Sequence, residues 1–240
     1  MGGVDKPVSG KNPGVLFVNS KITKPDEFSD QDFSKWYDEL HIPDIFKTSG
    51  IKSASRWRAV DPANDRPYLA LYPVDDLDFL DSDEFKAIPV HHDSLPGGAV
   101  FNLADFDTRY YKFAQSYESE SSGSKTEQAD FVIVAAFTPT DDKDYDDWYR
   151  QEHLKEISGI TGWRKTQRYD LTFARQNRKP EAEKQLPAAP KFLTLHFFDG
   201  ESLPEQELAK ASESKWTKKH LASMKAAQVA PFKKLSQYSA

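Results

Sequence analysis

The 240-residue chain contains no cysteine. Disulfides, thiolate nucleophiles, iron–sulfur clusters and cysteine-ligated zinc are therefore excluded. No apolar run approaches the ~18 residues that a membrane-spanning helix needs. Residues 1–13 are polar and lack the apolar stretch of a secretory signal, so no signal peptide is expected. There is no Asn-x-Ser/Thr sequon, Gly-rich phosphate loop, dinucleotide fingerprint, Gly-x-Ser-x-Gly elbow or His-Glu-x-x-His motif. Positive charge is not in excess. Lys plus Arg is 32 and Asp plus Glu is 38, a net charge of −6. That balance argues against nucleic acid as a partner. The expectation is a cytoplasmic protein with no membrane or nucleic-acid partner.

What the chain does have is aromatic bulk and a repeat. Aromatic residues make up 13 % of the sequence, a third of its 38 % apolar content, so rings fill much of any core. Asp32-Phe33-Ser34-Lys35-Trp36-Tyr37-Asp38-Glu39-Leu40-His41 matches Asp144-Tyr145-Asp146-Asp147-Trp148-Tyr149-Arg150-Gln151-Glu152-His153. The Asp, the first aromatic, the Trp-Tyr pair and the His coincide. Downstream, Ser49-Gly50-Ile51 answers Ser158-Gly159-Ile160, and Arg56-Trp57 answers Arg168-Tyr169. A repeat of about 110 residues is too long for a solenoid unit and marks a duplicated domain.

Each copy reads strand, helix, strand, strand, helix, strand. In the first helix the aromatics at 33, 36, 37 and at 145, 148, 149 recur at helical spacing, with His41 and His153 on the same face. Pro43 is expected to end its helix early, and Gly50 and Gly159 suit the helix exits. Strands are expected at 52–60, 68–73 and 99–113 in the first copy, and at 163–173, 191–198 and 232–238 in the second. The second helices fall near 76–87 and 204–227. The expected organisation is a flexible N-terminal tail (1–13), a first repeat (14–115), a linker (116–129) and a second repeat (130–240). The expected fold class is α+β: two tandem ferredoxin-like βαββαβ repeats whose sheets pack on each other.

A helix with an aromatic pair ending in His, then Gly-Ile, then an Arg-aromatic strand, resembles the dimeric α+β barrel superfamily. Within it the chain is similar to EthD-like proteins, in the fused tandem form seen among fungal proteins. His41-Ile42-Pro43 and Glu152-His153-Leu154 each match part of a Glu-His-x-Pro pattern in that family. Leu40 replaces the Glu in the first copy and Lys155 replaces the Pro in the second. The resemblance covers residues 14–113 and 130–238. It implies an intramolecular version of a barrel often made by two chains, hence a monomer (pseudo-dimer) or weak homo-oligomer. The superfamily includes cofactor-free decarboxylases, cyclases, lyases, isomerases and monooxygenases, as well as haem enzymes, so fold leaves function open.

The candidate catalytic residues are His153, His196, His41 and Tyr149. An imidazole that titrates near neutrality can move a proton in enolisation, aldol closure or decarboxylation. His196, on a strand face with Thr194, could converge with His153. Tyr149 and Tyr37 could donate to a developing enolate oxygen. Trp148 and Trp36 would shape a flat, aromatic-friendly cavity. Arg168 and Arg56 could hold a carboxylate or phenolate substrate. His91-His92-Asp93 lies in a Pro/Gly-marked loop and is not read as a metal site, and His220, among lysines, is read as solvated surface. The second copy is expected to hold the active cavity, with residues 175–190 as a lid.

The function expected is a small-molecule enzyme without cofactor or metal. It would use His acid/base chemistry on an aromatic or polyketide-like carbonyl compound, as a lyase, decarboxylase, cyclase or isomerase. One alternative is a non-catalytic hydrophobic-ligand-binding or stress-response protein. Another is a haem protein with His153 or His196 as axial ligand.

Overall fold

The computed structural model describes residues 3–119, 129–177 and 188–240. The chain divides into two compact units. The first unit holds Ser9–Lys112, Thr172–Ala189 and Leu235–Ala240, and so most of the first copy. The second holds Met1–Val8, Phe113–Leu171 and Pro190–Lys234. In chain order the elements are β1 (Gly3–Lys6), β2 (Gly14–Ile22), α1 (Asp30–Trp36), α2 (Ile42–Phe46), β3 (Ser53–Ala59), β4 (Tyr68–Val74), α3 (Asp83–Lys86), β5 (Ala104–Ser119), β6 (Phe131–Thr138), α4 (Asp142–Trp148), α5 (Leu154–Ser158), β7 (Trp163–Gln176), β8 (Phe192–Phe198), α6 (Glu205–Ala211), α7 (Lys215–Ser223) and β9 (Ala226–Ser239).

The aromatic helices begin where side chains can satisfy their free N–H groups. Ser29 and Asp32 form a reciprocal capping box at α1. At α4 the Asp141 carboxylate accepts from the N–H groups of Lys143 and Asp144. Each helix then widens into a π-turn, Tyr37–His41 after α1 and Tyr149–His153 after α4. The N–H of Ile42 reaches the Tyr37 carbonyl, and that of Leu154 the Tyr149 carbonyl, in the i→i+5 pattern. Pro43 does not end its helix, contrary to the reading from sequence. It sits in the first turn of α2, where its missing N–H costs little. Gly50 serves a close approach, because a Cβ there would stand 2.1 Å from the Phe79 ring.

In the first unit the strands lie in the order β5-β2-β4-β3, and in the second β9-β6-β8-β7. These neighbours pair antiparallel. Register decides which side chains share the helix-covered face. In the first unit Leu16 stands between Tyr72 and Tyr110, and Val18 between Ala70 and Thr108. Arg56 continues the Ala70 row. In the second unit His196 stands between Ile133 and Thr166, and Thr194 between Ala135 and Arg168. The far end of β7 belongs to the first unit, where Thr172 Oγ1 donates to the Tyr110 carbonyl at 3.0 Å and the Asn177 N–H to the Phe106 carbonyl at 3.0 Å.

Three boundaries differ from the expectation. The tail is not wholly loose, because Gly3–Lys6 pairs with residues 116–119 of β5 and Asp5 accepts from Gln115 at 2.7 Å. β5 thereby runs into the segment read as a linker. The long helix expected at 204–227 is broken at Ser212–Ser214, and Ser214 caps α7. Residues 120–128 of the linker and 178–187 of the expected lid lie outside the described residues.

Candidate functional site

The π-turns explain how Trp and His meet. In a regular α-helix, residues five apart point about 140° away from each other. The wider turn brings them onto one side. The His41 ring stacks on Trp36 with centroids 4.5 Å apart at 15°, and His153 stacks on Trp148 at 4.5 Å and 23°. The adjacent tyrosines meet the same imidazoles edge-on, Tyr37 at 5.4 Å and Tyr149 at 5.2 Å.

In the first unit this cluster opens on a cavity of about 400 Å³. Its inner wall is Trp36, Tyr37 and His41 from the helix, with Leu16, Val18, Tyr72 and Phe106 from the sheet. Its outer part is lined by Asp81, Phe85, Lys86, Tyr110, Phe173 and Arg175. Burial pushes the His41 imidazole down to about 4, against the raising influence of Asp44 and the Pro89 backbone. His41 Nδ1 is buried and makes no hydrogen bond among the described residues. The Tyr37 hydroxyl is pushed up to about 12 by burial, with Arg56 opposing. Burial also raises Tyr72 well above the ordinary tyrosine value. Both phenols therefore stay protonated throughout the working pH range.

The arginines are engaged with the chain itself. The Arg56 guanidinium lies 4.5 Å over the Tyr37 ring and is ion-paired with Asp38. Arg168 lies 4.4 Å over Tyr149, 2.8 Å from Asp146, and donates to Gln115 at 2.8 Å. Their chain-supplied carboxylates occupy the role proposed for a substrate anion. Arg168 does line a smaller, 220 Å³ pocket of the second unit with Tyr145, Asp146, Arg150 and Thr194.

The second unit brings His153 and His196 together, with ring centroids 6.0 Å apart. His196 Nδ1 is 2.9 Å from Thr166 Oγ1, and burial, then the charges of His153 and Arg168, hold its imidazole well below the ordinary value. Neither histidine lines the larger or the smaller cavity. The reason is α7. His220 is 3 % exposed, not surface as the neighbouring lysines suggested, and stacks on Trp148 at 4.9 Å and 24°. Trp148 Nε1 donates to Thr217 Oγ1 at 3.0 Å, and Lys219 Nζ pairs with Asp144 at 2.7 Å. In the first copy the corresponding helix, α3, has only four residues against nine in α7. Of the two cavities described, the larger lies in the first unit, whereas the sequence reading placed the active cavity in the second copy. A haem does not fit His153 or His196, since one ring is packed against Trp148, Tyr149 and His196 and the other is bonded to Thr166.

Sequence reasoning missed Tyr72 and Phe106 as lining residues, and placed Arg175 only at the start of a lid over the second copy. Tyr72 carried a signal, because it aligns with His196. His91, His92 and Asp93 are exposed, and no group of metal-ligating side chains occurs among the described residues.

No family model matches the chain. Core atranone cluster (CAC) protein 1 of Stachybotrys chlorohalonatus (strain IBT 40285) is 28 % identical over 197 residues, 78 % of this chain and 82 % of that protein. Among solved structures, an anthrone oxidase-like protein superposes with a TM-score of 0.56 at 14 % identity, over 97 % of this chain and 95 % of that one. A chlorite dismutase-like protein gives 0.55 at 11 % identity, over 94 % and 96 %. A monooxygenase-like protein of Fusobacterium nucleatum subsp. nucleatum ATCC 25586 gives 0.53 at 11 % identity, over 95 % and 94 %. The likeness to these neighbours is one of fold.

Proposed function

We propose that this chain is a small-molecule enzyme of secondary metabolism, acting by proton transfer on an aromatic or polyketide-like carbonyl compound in the cavity of its first copy. The observation that carries the reading is the 400 Å³ cavity that places His41 beside Tyr37 and Tyr72 in an aromatic wall. With its value near 4, the His41 imidazole is the free base at neutral pH, and Nδ1 has no partner to give up. Removing a proton from carbon next to a carbonyl creates an imidazolium and an enolate together. Their mutual attraction offsets the burial that disfavours the charged imidazole alone. The hydroxyls of Tyr37 and Tyr72, kept protonated by burial, supply donors for the enolate oxygen. The relative from an atranone cluster and the oxidase-like and monooxygenase-like neighbours support a small-molecule enzyme.

The two units are read as tandem ferredoxin-like repeats of EthD-like type. The shared element order and the matching strand orders β5-β2-β4-β3 and β9-β6-β8-β7 support this. His153 and His196, which line neither described cavity, then serve packing.

The test is turnover of a panel of aromatic carbonyl compounds by His41→Phe and His153→Phe. His41→Phe is expected to lower turnover about 10²-fold or more, with His153→Phe near the parent level. Equal turnover of His41→Phe and parent removes His41 from the chemistry. Ligand affinity with no turnover of any compound favours the binding-protein reading.

A further inference from the structure

Each tryptophan has an aromatic three residues before it, a Tyr after it and a His five residues on, and beyond these the copies differ: Phe106 meets Trp36 edge-on at 6.3 Å, while His220 stacks on Trp148. Trp148 has two nearly parallel imidazoles within 5 Å, His153 and His220. Trp36 has one, His41 at 4.5 Å, and no second parallel ring that close among the described residues. Trp36 instead lines the open cavity. His220 thus gives Trp148 a second close parallel ring for which Trp36 has no counterpart among the described residues.

Farther out, the cavity lining changes character. Phe173 is 42 % exposed and lies 4.7 Å from the Tyr110 ring at 34°. Arg175, two residues on along the same strand and exposed, acts on the Tyr110 hydroxyl by its charge. The other charged groups lining the cavity are Lys86 and Asp81, and Lys86 Nζ donates to the Asp81 carbonyl. Among the described residues the lining thus carries two cations against one acid. Among the described residues no carboxylate pairs with Arg175, whereas Arg56, Arg58, Arg164 and Arg168 all have one.

We infer that the cavity takes a planar fused-ring aromatic anion, with its ring plane on Trp36 where His220 lies on Trp148 in the other copy, and its carboxylate or phenolate at Arg175. This rests on the first-copy cavity being the functional site and adds the substrate's charge and the direction in which it lies. Ring stacking supplies affinity that any flat compound shares. The guanidinium supplies selection, because a charge-assisted pair at a half-open rim favours the anion over its neutral analogue.

The experiment is a binding titration with three probes: anthracene-2-carboxylate, 2-(hydroxymethyl)anthracene and cyclohexanecarboxylate. The planar anion is expected to bind about tenfold more tightly than the neutral anthracene, a difference of about 1.4 kcal/mol. The cyclohexane, which has charge without a plane, is expected not to compete. Arg175→Gln should erase the preference for the anion, and Trp36→Leu should weaken both anthracenes about tenfold. Equal affinity for the charged and neutral anthracenes, an undiminished preference in Arg175→Gln, or no binding of either overturns the inference. So does unchanged affinity in a folded Trp36→Leu. Arg175 is exposed, so its variant keeps the test decisive even if Trp36→Leu fails to fold. The titration reads binding alone, so its outcome is independent of whether His41→Phe loses turnover.

Discussion

Burial acts on His41, His196 and His220 in the same sense. All three imidazoles are pushed below the ordinary value, His41 to about 4, and desolvation is the largest cause in each. An unfolded histidine titrates near ~6.5. Between that value and the folded one, the unfolded chain binds protons that the folded chain refuses, so stability rises with pH. The contribution is complete above ~6.5 and is lost as pH falls toward about 4. The urea midpoint is therefore expected to be lower at pH 5 than at pH 7, and His41→Phe should flatten part of that dependence. An equal midpoint at the two pH values would contradict the burial of these rings. Residue by residue, the sequence showed the helix-borne members of the site, Trp36, Tyr37 and His41, because they are near neighbours. It did not show Tyr72 or Phe106. Their place depends on which residues of β4 and β5 stand beside Leu16 and Ser20 in β2.

Two elements set the difference between the copies. The π-turn is common to both and brings each His back onto its Trp. Its one extra residue per turn is invisible to a periodicity count, which accommodated these histidines on an ordinary helix face. α7 is particular to the second copy. It turns Thr217 and His220 inward and leaves Lys218 and Lys219 exposed. A lysine-rich stretch therefore concealed a buried ring. If His220 fills a closed slot on Trp148, His220→Ala should destabilise the protein by about 2–4 kcal/mol. Millimolar imidazole should then restore part of the lost Tm by entering the vacated space, as small aromatics enter engineered apolar cavities. A Tm indifferent to imidazole in the variant would mean that the slot collapses or opens to water.

Over the whole molecule, each described cavity and each Trp-His cluster lies within one unit. Native mass spectrometry is expected to give one chain, 27.3 kDa, while a dimer mass would require an interface between copies of the chain. The sequence by itself determined the internal repeat of residues 32–41 at 144–153 and the Trp-Tyr-x-x-x-His spacing in each. Those features reside in local composition and short spacings, and a 240-residue chain states them directly. Only the tertiary structure decided where the described cavities lie. That outcome depends on α7 docking on α4 through Trp148–Thr217 and Asp144–Lys219, contacts that span 69 and 75 residues. It also depends on the end of β7 reaching the first unit to place Phe173 and Arg175 at the cavity. Packing over such separations is set by the shape and polarity of whole surfaces, which no short stretch of sequence contains.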